Sequence, residues 1–378
     1  MTIAFFIIFL FLSIVSYGFI DPNLILSSHP LVISFIKPLF HIVYQQRLFT
    51  AGLFFIILLT QFFLFRKIFI NSQRVFPSIQ SLFKYLFPLA CILVISYPMV
   101  SYDLFNYMTT AKVTFTHLEN PYIVMPIEIA NEPNLFFTRA ANKLALYGPI
   151  WILLTWIPHA LGMGNIWQTI ISFKLMSAFW YLSFCFLVWR VTKNMKNVIF
   201  FALNPLVLIE VLVVGHNDLV MMALSLSGIL LWESKKLVNR ISGLMLLVFS
   251  MCIKGATVVL LPLLFLRKFS RDKIFLLASF LLLILFIIAG PIREELYPWY
   301  AIWFLSSASF LSYPKYLWFW QFGIVFSLGL ELRYIPYMAM GYYEGPGPML
   351  RTVLTIIPVV VWGFWKLKNF QISKIKKS

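Results

Sequence analysis

The stretch Phe49–Phe65 reads FTAGLFFIILLTQFFLF and runs directly into Arg66 and Lys67. It carries no charge. A helix needs about 20 apolar residues to cross a hydrocarbon core ~30 Å thick, and inside that core a helix satisfies every backbone polar group within its own segment. This run therefore predicts a membrane span closed by a basic loop. Working outward, similar runs recur at 3–20, 84–101, 166–189, 198–214, 219–232, 241–253, 255–266, 274–290, 298–312, 315–330 and 349–365. Of the 378 residues, 61% are hydrophobic and 11% are charged, against about 25% charged in an ordinary soluble domain. That balance excludes a soluble enzyme, a disordered tail and a nucleic-acid module. The expected fold is an all-α, polytopic membrane protein with about 12 transmembrane helices (range 10–13). A further apolar stretch, 149–163, is interrupted by Pro158 and Gly162 and reads as re-entrant or interfacial.

The net charge of +17 is explained by where the charges fall. With the N-terminus in the cytoplasm, the inner loops receive Arg66 to Lys84, Arg190 to Lys196, Lys235 to Arg240, Arg267 to Lys273, Lys315 and a tail from Lys366 to Lys377. Together these hold twenty of the 30 basic residues and only two acids, Glu233 and Asp272. Such a bias is the usual signature of cytoplasmic loops. Both termini are expected inside, and the partner of the basic face is anionic lipid, not nucleic acid. Met1–Ile20 has no charged leading region and reads as a retained first helix. Cys91, Cys185 and Cys252 fall within apolar segments, with no disulfide framework. The five histidines are scattered, so no metal site is expected.

The chain reads as one membrane unit over 1–378: N-terminal spans in 1–100, a long outer loop in 101–148, further spans in 149–365, and a basic tail in 366–378. An outer loop this long in so apolar a chain points to function. Leu104, Met108, Ala111, Phe115 and Leu118 follow helical spacing, as do Phe136, Phe137, Ala140, Ala141 and Leu144, so two amphipathic interfacial helices are expected there. Asp103 stands where the third span meets the loop. Taken alone, it is also an ordinary helix-capping residue. Asn120-Pro121-Tyr122 and Tyr147-Gly148-Pro149 are turn signals.

A second polar group, Gly215-His216-Asn217-Asp218, separates two spans. Glu210 lies within the membrane nearby, and a buried ionisable group there is a functional candidate by default. Lys254 reads either as a snorkelling helix-end lysine or as a cation for a lipid phosphate. Arg293, Glu294 and Glu295 precede Tyr297-Pro298-Trp299-Tyr300, whose aromatics form an interfacial belt or stack on a sugar or isoprenoid chain. Another outer loop carries Arg333, Tyr334, Tyr337, Tyr342, Tyr343 and Glu344.

Four segments carry a family resemblance: SYDLFNYMTTAKVTFTHLENPYIVMP at 101–126, YGPIW at 147–151, NPLVLIEVLVVGHNDLVM at 204–221 and YPWYAIW at 297–303. In their order and spacing they resemble the GT-C glycosyltransferases that use polyprenyl-phosphate sugars. They are most similar to the polyprenol-phosphomannose-dependent alpha-1,6-mannosyltransferases. Lys112 stands where relatives often have arginine, and Ile253-Lys254-Gly255 lacks the proline that often follows that lysine.

The resemblance implies a hexosyltransferase, with mannose favoured, that needs no cofactor beyond its lipid-linked donor. The acceptor would be a glycan or glycolipid on the extracytoplasmic side. Asp103 would be the catalytic base for an inverting displacement. Lys254, Arg293 and His216 would bind the donor phosphate. Asn217, Asp218, Tyr147, Tyr297, Trp299 and Tyr300 would contact sugar or lipid. Tyr102, Lys112, Asn120 and Tyr122 are further loop candidates. The competing expectation is a transporter or flippase of lipid-linked saccharides, which would favour internal repeats that the sequence does not show.

Overall fold

The computed structural model describes residues 1–20, 30–266, 268–292, 295–341 and 345–375; Arg293, Glu294 and Tyr342 to Glu344 lie outside them. Among the described residues there is no β-strand, and the architecture is an all-α membrane protein. The helices run in chain order as α1 (Thr2–Ser16), α2 (Pro30–Val43), α3 (Arg47–Ile70), α4 (Ser72–Val75), α5 (Ile79–Val94), α6 (Asp103–Phe115), α7 (Pro149–Gly162), α8 (Ile166–Thr192) and α9 (Met195–Ala202). Next comes α10 (Pro205–Val207), which continues as a π-helical stretch, Leu208–Val214. The remainder are α11 (Asp218–Trp232), α12 (Leu237–Met251), a 3₁₀ stretch Gly255–Phe265, α13 (Arg271–Ile292), α14 (Ala301–Ala308), α15 (Leu317–Leu332), α16 (Tyr334–Met340) and α17 (Gly347–Ile375).

Local signals set many of these starts. Ser78 and Ser81 exchange capping hydrogen bonds at the head of α5. Asn165, Asn194 and Asn204 each accept a backbone N–H at the head of α8, α9 and α10. These side chains satisfy amides that have no partner within the helix.

Five described helices are long and apolar enough to cross a membrane alone, or six if α9 and α10, bent by 53°, count as one span. That is fewer than the twelve expected. Hydropathy reads composition through breaks that the backbone makes. The run at 84–101 stops being helical at Val94, and the run at 298–312 contains only α14 and a preceding 3₁₀ turn. Conversely, α2 was not expected, because Lys37 and Pro38 interrupt its apolar run. The stretch at 149–163 forms α7, which at 14 residues falls short of the ~20 needed for a crossing.

The outer loop departs furthest from expectation. Its first helix forms as α6, but Leu104–Ala111 is buried on every face, polar residues included. The rest of the loop folds over the polar side of α6. Asn106 accepts the Ala140 amide, Thr109 meets Thr138 at 2.5 Å, and Lys112 pairs with Glu132 at 2.8 Å. The second expected helix is a 3₁₀ turn at Pro133–Phe137 followed by turns, with Phe136 pointing outward. Its Ala140 amide and Thr138 hydroxyl bond to α6 and its Ala141 carbonyl accepts the Ile127 amide, in place of a helical ladder.

The π stretch Leu208–Val214 is buried throughout and ends at Gly215, whose φ is +90°. A Cβ on Gly215 would sit 2.7 Å from Leu104 Cδ1. Gly215 therefore supplies both the left-handed backbone and the close approach of α6. Gly215→Ala is expected to lower the melting temperature of the detergent-solubilised protein, at a cost of about 1–3 kcal/mol. A melting temperature equal to wild type would contradict that account.

Candidate active site

The two polar constellations noted in the sequence meet here. Asp103 is the first residue of α6, where the helix dipole favours a carboxylate. Its amide donates to Ser101 Oγ at 3.3 Å, and its Oδ1 accepts from Asn106 Nδ2 at 3.3 Å. Its Oδ2 lies 3.4 Å from His216 Nδ1. The other ring nitrogen, Nε2, lies 3.2 Å from Glu210 Oε2. Glu210 Oε1 in turn accepts the Tyr334 hydroxyl at 2.7 Å. The imidazole stacks on the Trp299 ring at 4.1 Å, and Trp299 stacks on Tyr297 at 4.6 Å.

His216 lies in the turn between the π stretch and α11. Burial opposes its charge, but the hydrogen bonds and fields of Asp103 and Glu210 outweigh that and push it up to about 9. Burial likewise works against an ionised Asp103. His216 first, then Lys254 and Asn106, overcome it and hold the carboxyl below its usual range. Asp103 is thus a carboxylate at neutral pH.

Asp103 opens onto a cavity of about 300 Å³, within the range of small-ligand sites. The Asp103 side chain is 24% exposed, while His216 and Glu210 are fully buried. The expected residues Tyr102, Tyr297 and Trp299 also line the cavity. So do Arg47, Arg139, Arg333 and Arg351, none of which was singled out for the site from sequence. Arg139 lies over the Tyr102 ring at 4.7 Å. Arg333 and Arg351 reach the same Glu295 oxygen at 3.2 and 2.5 Å. Four guanidiniums face two carboxylates, Asp103 and Glu295. The available sequence signal was the residue type: the loops expected inside are rich in lysine, whereas the segments that line this cavity carry arginine.

Other expected residues stand elsewhere. Asp218 is buried at the head of α11, where both its oxygens pair with Lys254 Nζ at 3.0 and 2.9 Å and Oδ1 accepts Trp303 Nε1 at 2.6 Å. Lys254 also lies over the Tyr300 ring at 5.2 Å, and Tyr300 stacks on Trp303 at 4.3 Å. Asn217 and Tyr147 are buried, and the Asn217 amide donates to the Tyr107 hydroxyl at 3.4 Å. None of these lines the cavity.

Tyr147-Gly148-Pro149 is more than a chain break. Gly148 and Ile150 donate to the carbonyls of Ile253 and Cys252, and a Cβ on Gly148 would sit 2.1 Å from Cys252 O. This pairing fixes the turn that carries Lys254. Asn120 and Tyr122 form a turn that pins Tyr147, whose carbonyl accepts the Tyr122 hydroxyl at 2.9 Å. Lys112 is held by Glu132. Burial opposes ionisation of Glu132, but Lys112 and the Asn134 amide keep it below the usual carboxylate range. Arg293 lies outside the described residues. No group of three or more His, Cys, Asp or Glu among the described residues is arranged to hold a metal ion.

Asp103 thus opens onto an arginine-lined cavity within an apolar helical frame. The family described as "Alpha-(1->6)-mannopyranosyltransferase, N-terminal domain" matches residues 7–269, well over half of the chain. The chain belongs to this family. It is a membrane glycosyltransferase of the mannosyltransferase class. Among curated proteins and solved structures, no match is found. The matched segment includes Asp103, His216 and Lys254, whereas Arg333, Arg351 and the aromatic run at 297–303 lie beyond it.

Proposed function

We propose that this mannosyltransferase takes mannose from a polyprenyl-phosphate donor and delivers it to an outward-facing glycan or glycolipid. The observation that carries the reading is Asp103: an ionised carboxylate open to a cavity whose other charges are mainly guanidiniums. In the reaction, Asp103 takes the proton from the acceptor hydroxyl as that oxygen attacks the anomeric carbon. The bond to the phosphate oxygen breaks, the configuration inverts, and polyprenyl phosphate leaves with the electron pair. The leaving phosphate needs charge stabilisation more than a proton.

Lys254 and His216 are committed to carboxylates, so the phosphate role passes to the cavity arginines. Guanidinium forks suit a phosphate. Arg139 is the leading candidate because it is exposed and stands beside Asp103 in the cavity. Tyr297 and Trp299 offer a stacking face for the sugar. Every cavity charge belongs to a segment that the basic-loop pattern puts outside. This supports an extracytoplasmic site with both termini in the cytoplasm. Under this reading the whole chain works as one membrane unit.

The test uses purified protein, labelled polyprenyl-phosphate mannose and glycan acceptors. Label should appear on the acceptor with release of polyprenyl phosphate. Arg139→Ala should raise the donor KM by roughly 10- to 100-fold with a smaller change in kcat, as expected for one charge-assisted hydrogen bond of about 1.5–3 kcal/mol. If the wild type instead moves the lipid-linked sugar between leaflets without transferring it, the flippase reading holds and this one fails.

A further inference from the structure

His216 has a carboxylate on each ring nitrogen, Asp103 at 3.4 Å and Glu210 at 3.2 Å. Only the doubly protonated ring has two N–H groups to offer them. The imidazole and Glu210 are both fully buried, and the Trp299 ring at 4.1 Å fixes the imidazole plane. Glu210 is itself anchored by the Tyr334 hydroxyl at 2.7 Å, and Tyr334 lines the same cavity as Asp103. Glu210 touches neither the cavity nor the reacting atoms. Its seat in a π stretch is the kind of helical defect often found at functional sites.

We infer that Glu210 is a positioning residue for the transfer reaction: through His216 it holds an imidazolium against Asp103 Oδ2 and so orients the carboxylate, whose Oδ1 also accepts from Asn106, toward the acceptor. The inference rests on the reading of Asp103 as the base. An imidazolium facing Asp103 alone would weaken that base. A second carboxylate draws off part of the positive charge, so Asp103 stays ionised without losing its appetite for a proton. When Asp103 takes the acceptor proton, the cluster passes from one net negative charge to neutral, and the buried imidazolium still has a counter-charge.

The other groups around His216 are accounted for. On the same strand of chain, Asp218 is neutralised by Lys254. From α8, Lys174 approaches Gly215, but its ammonium is bonded to Ser96. Tyr107 of α6 and Tyr334 of α16 bring hydroxyls without charge. Glu331 of α15 is buried and interacts with Glu210, not with His216. The field on His216 is therefore negative from two sides.

The test is Glu210→Gln, which preserves size and removes the charge. It is read in the pH profile of transfer and in the NMR titration of the His216 ring nitrogens. In the wild type the imidazolium persists below about 9, so the rate should fall as pH rises through that value. In Glu210→Gln the alkaline limb and the ring titration should both move down by about one pH unit or more. The turnover should fall about tenfold at neutral pH with the donor KM unchanged. Glu210→Asp, which withdraws the carboxylate by one methylene, should give a smaller shift in the same direction. It serves if the amide variant does not fold. An unmoved titration in whichever variant folds overturns the inference. If the titration moves but Asp103→Asn transfers mannose normally, the base assignment is what has failed, and with it the role of Glu210 in the reaction.

Discussion

Asp103→Asn should lower the rate of mannosyl transfer by about 10²- to 10⁴-fold, the usual worth of a general base, while the protein stays folded. The amide has the shape of the carboxylate, and its oxygen can still accept from Asn106, which stands 3.3 Å away. What it loses is the capacity to take a proton and the negative charge beside His216. The cavity arginines are untouched, so donor binding should survive and the loss should fall on kcat. Transfer assays with separate variation of donor and acceptor would show this, alongside a thermal melt to establish folding. Turnover near the wild-type level would remove Asp103 from the mechanism. The loss should be the same for any acceptor, because the proton leaves whichever hydroxyl attacks.

Lys254→Ala should damage the fold more than the chemistry. Asp218 is fully buried, and Lys254 Nζ contacts both of its oxygens at 3.0 and 2.9 Å. Removing the lysine strands a buried carboxylate, at a cost of about 3–5 kcal/mol. The sequence reading made Lys254 a phosphate ligand. That role predicts a raised donor KM in a protein of normal stability. The geometry predicts a large fall in melting temperature instead. Lys254→Met combined with Asp218→Asn removes both charges together and should recover much of the lost stability, since replacing a whole buried pair is far cheaper than breaking it. A Lys254→Ala protein that melts like wild type but binds donor poorly would restore the phosphate role.

Much of the frame was legible in the residues. The run at 49–65 lies within α3 and the run at 166–189 within α8, because long uninterrupted apolar segments admit one satisfied backbone in lipid. Shorter runs were less informative. Hydropathy cannot show where Pro98 and its neighbours leave the helix after Val94, nor that Pro30–Val43 stays helical through Pro38. In the outer loop, period alone suggested a polar face turned to water. That face of α6 instead receives the remainder of the loop, through side-chain bonds that helical spacing does not encode.

The site divides in the same way. Asp103 and the Gly215–Asp218 segment stand out in the sequence because polar residues are costly in so apolar a setting. Their pairing does not. Lys254 meets Asp218 across 36 positions, Arg351 meets Glu295 across 56, and Tyr334 meets Glu210 across 124. Residue type and order thus determined the class of molecule, its apolar helices and the acid worth testing, since these follow from local transfer energies and charge balance. Tertiary structure alone decided that Lys254 and His216 serve buried carboxylates, and that four arginines from distant segments share a cavity with Asp103. A buried charge is satisfied by whatever the fold brings within about 3–4 Å, and that distance is not written along the chain.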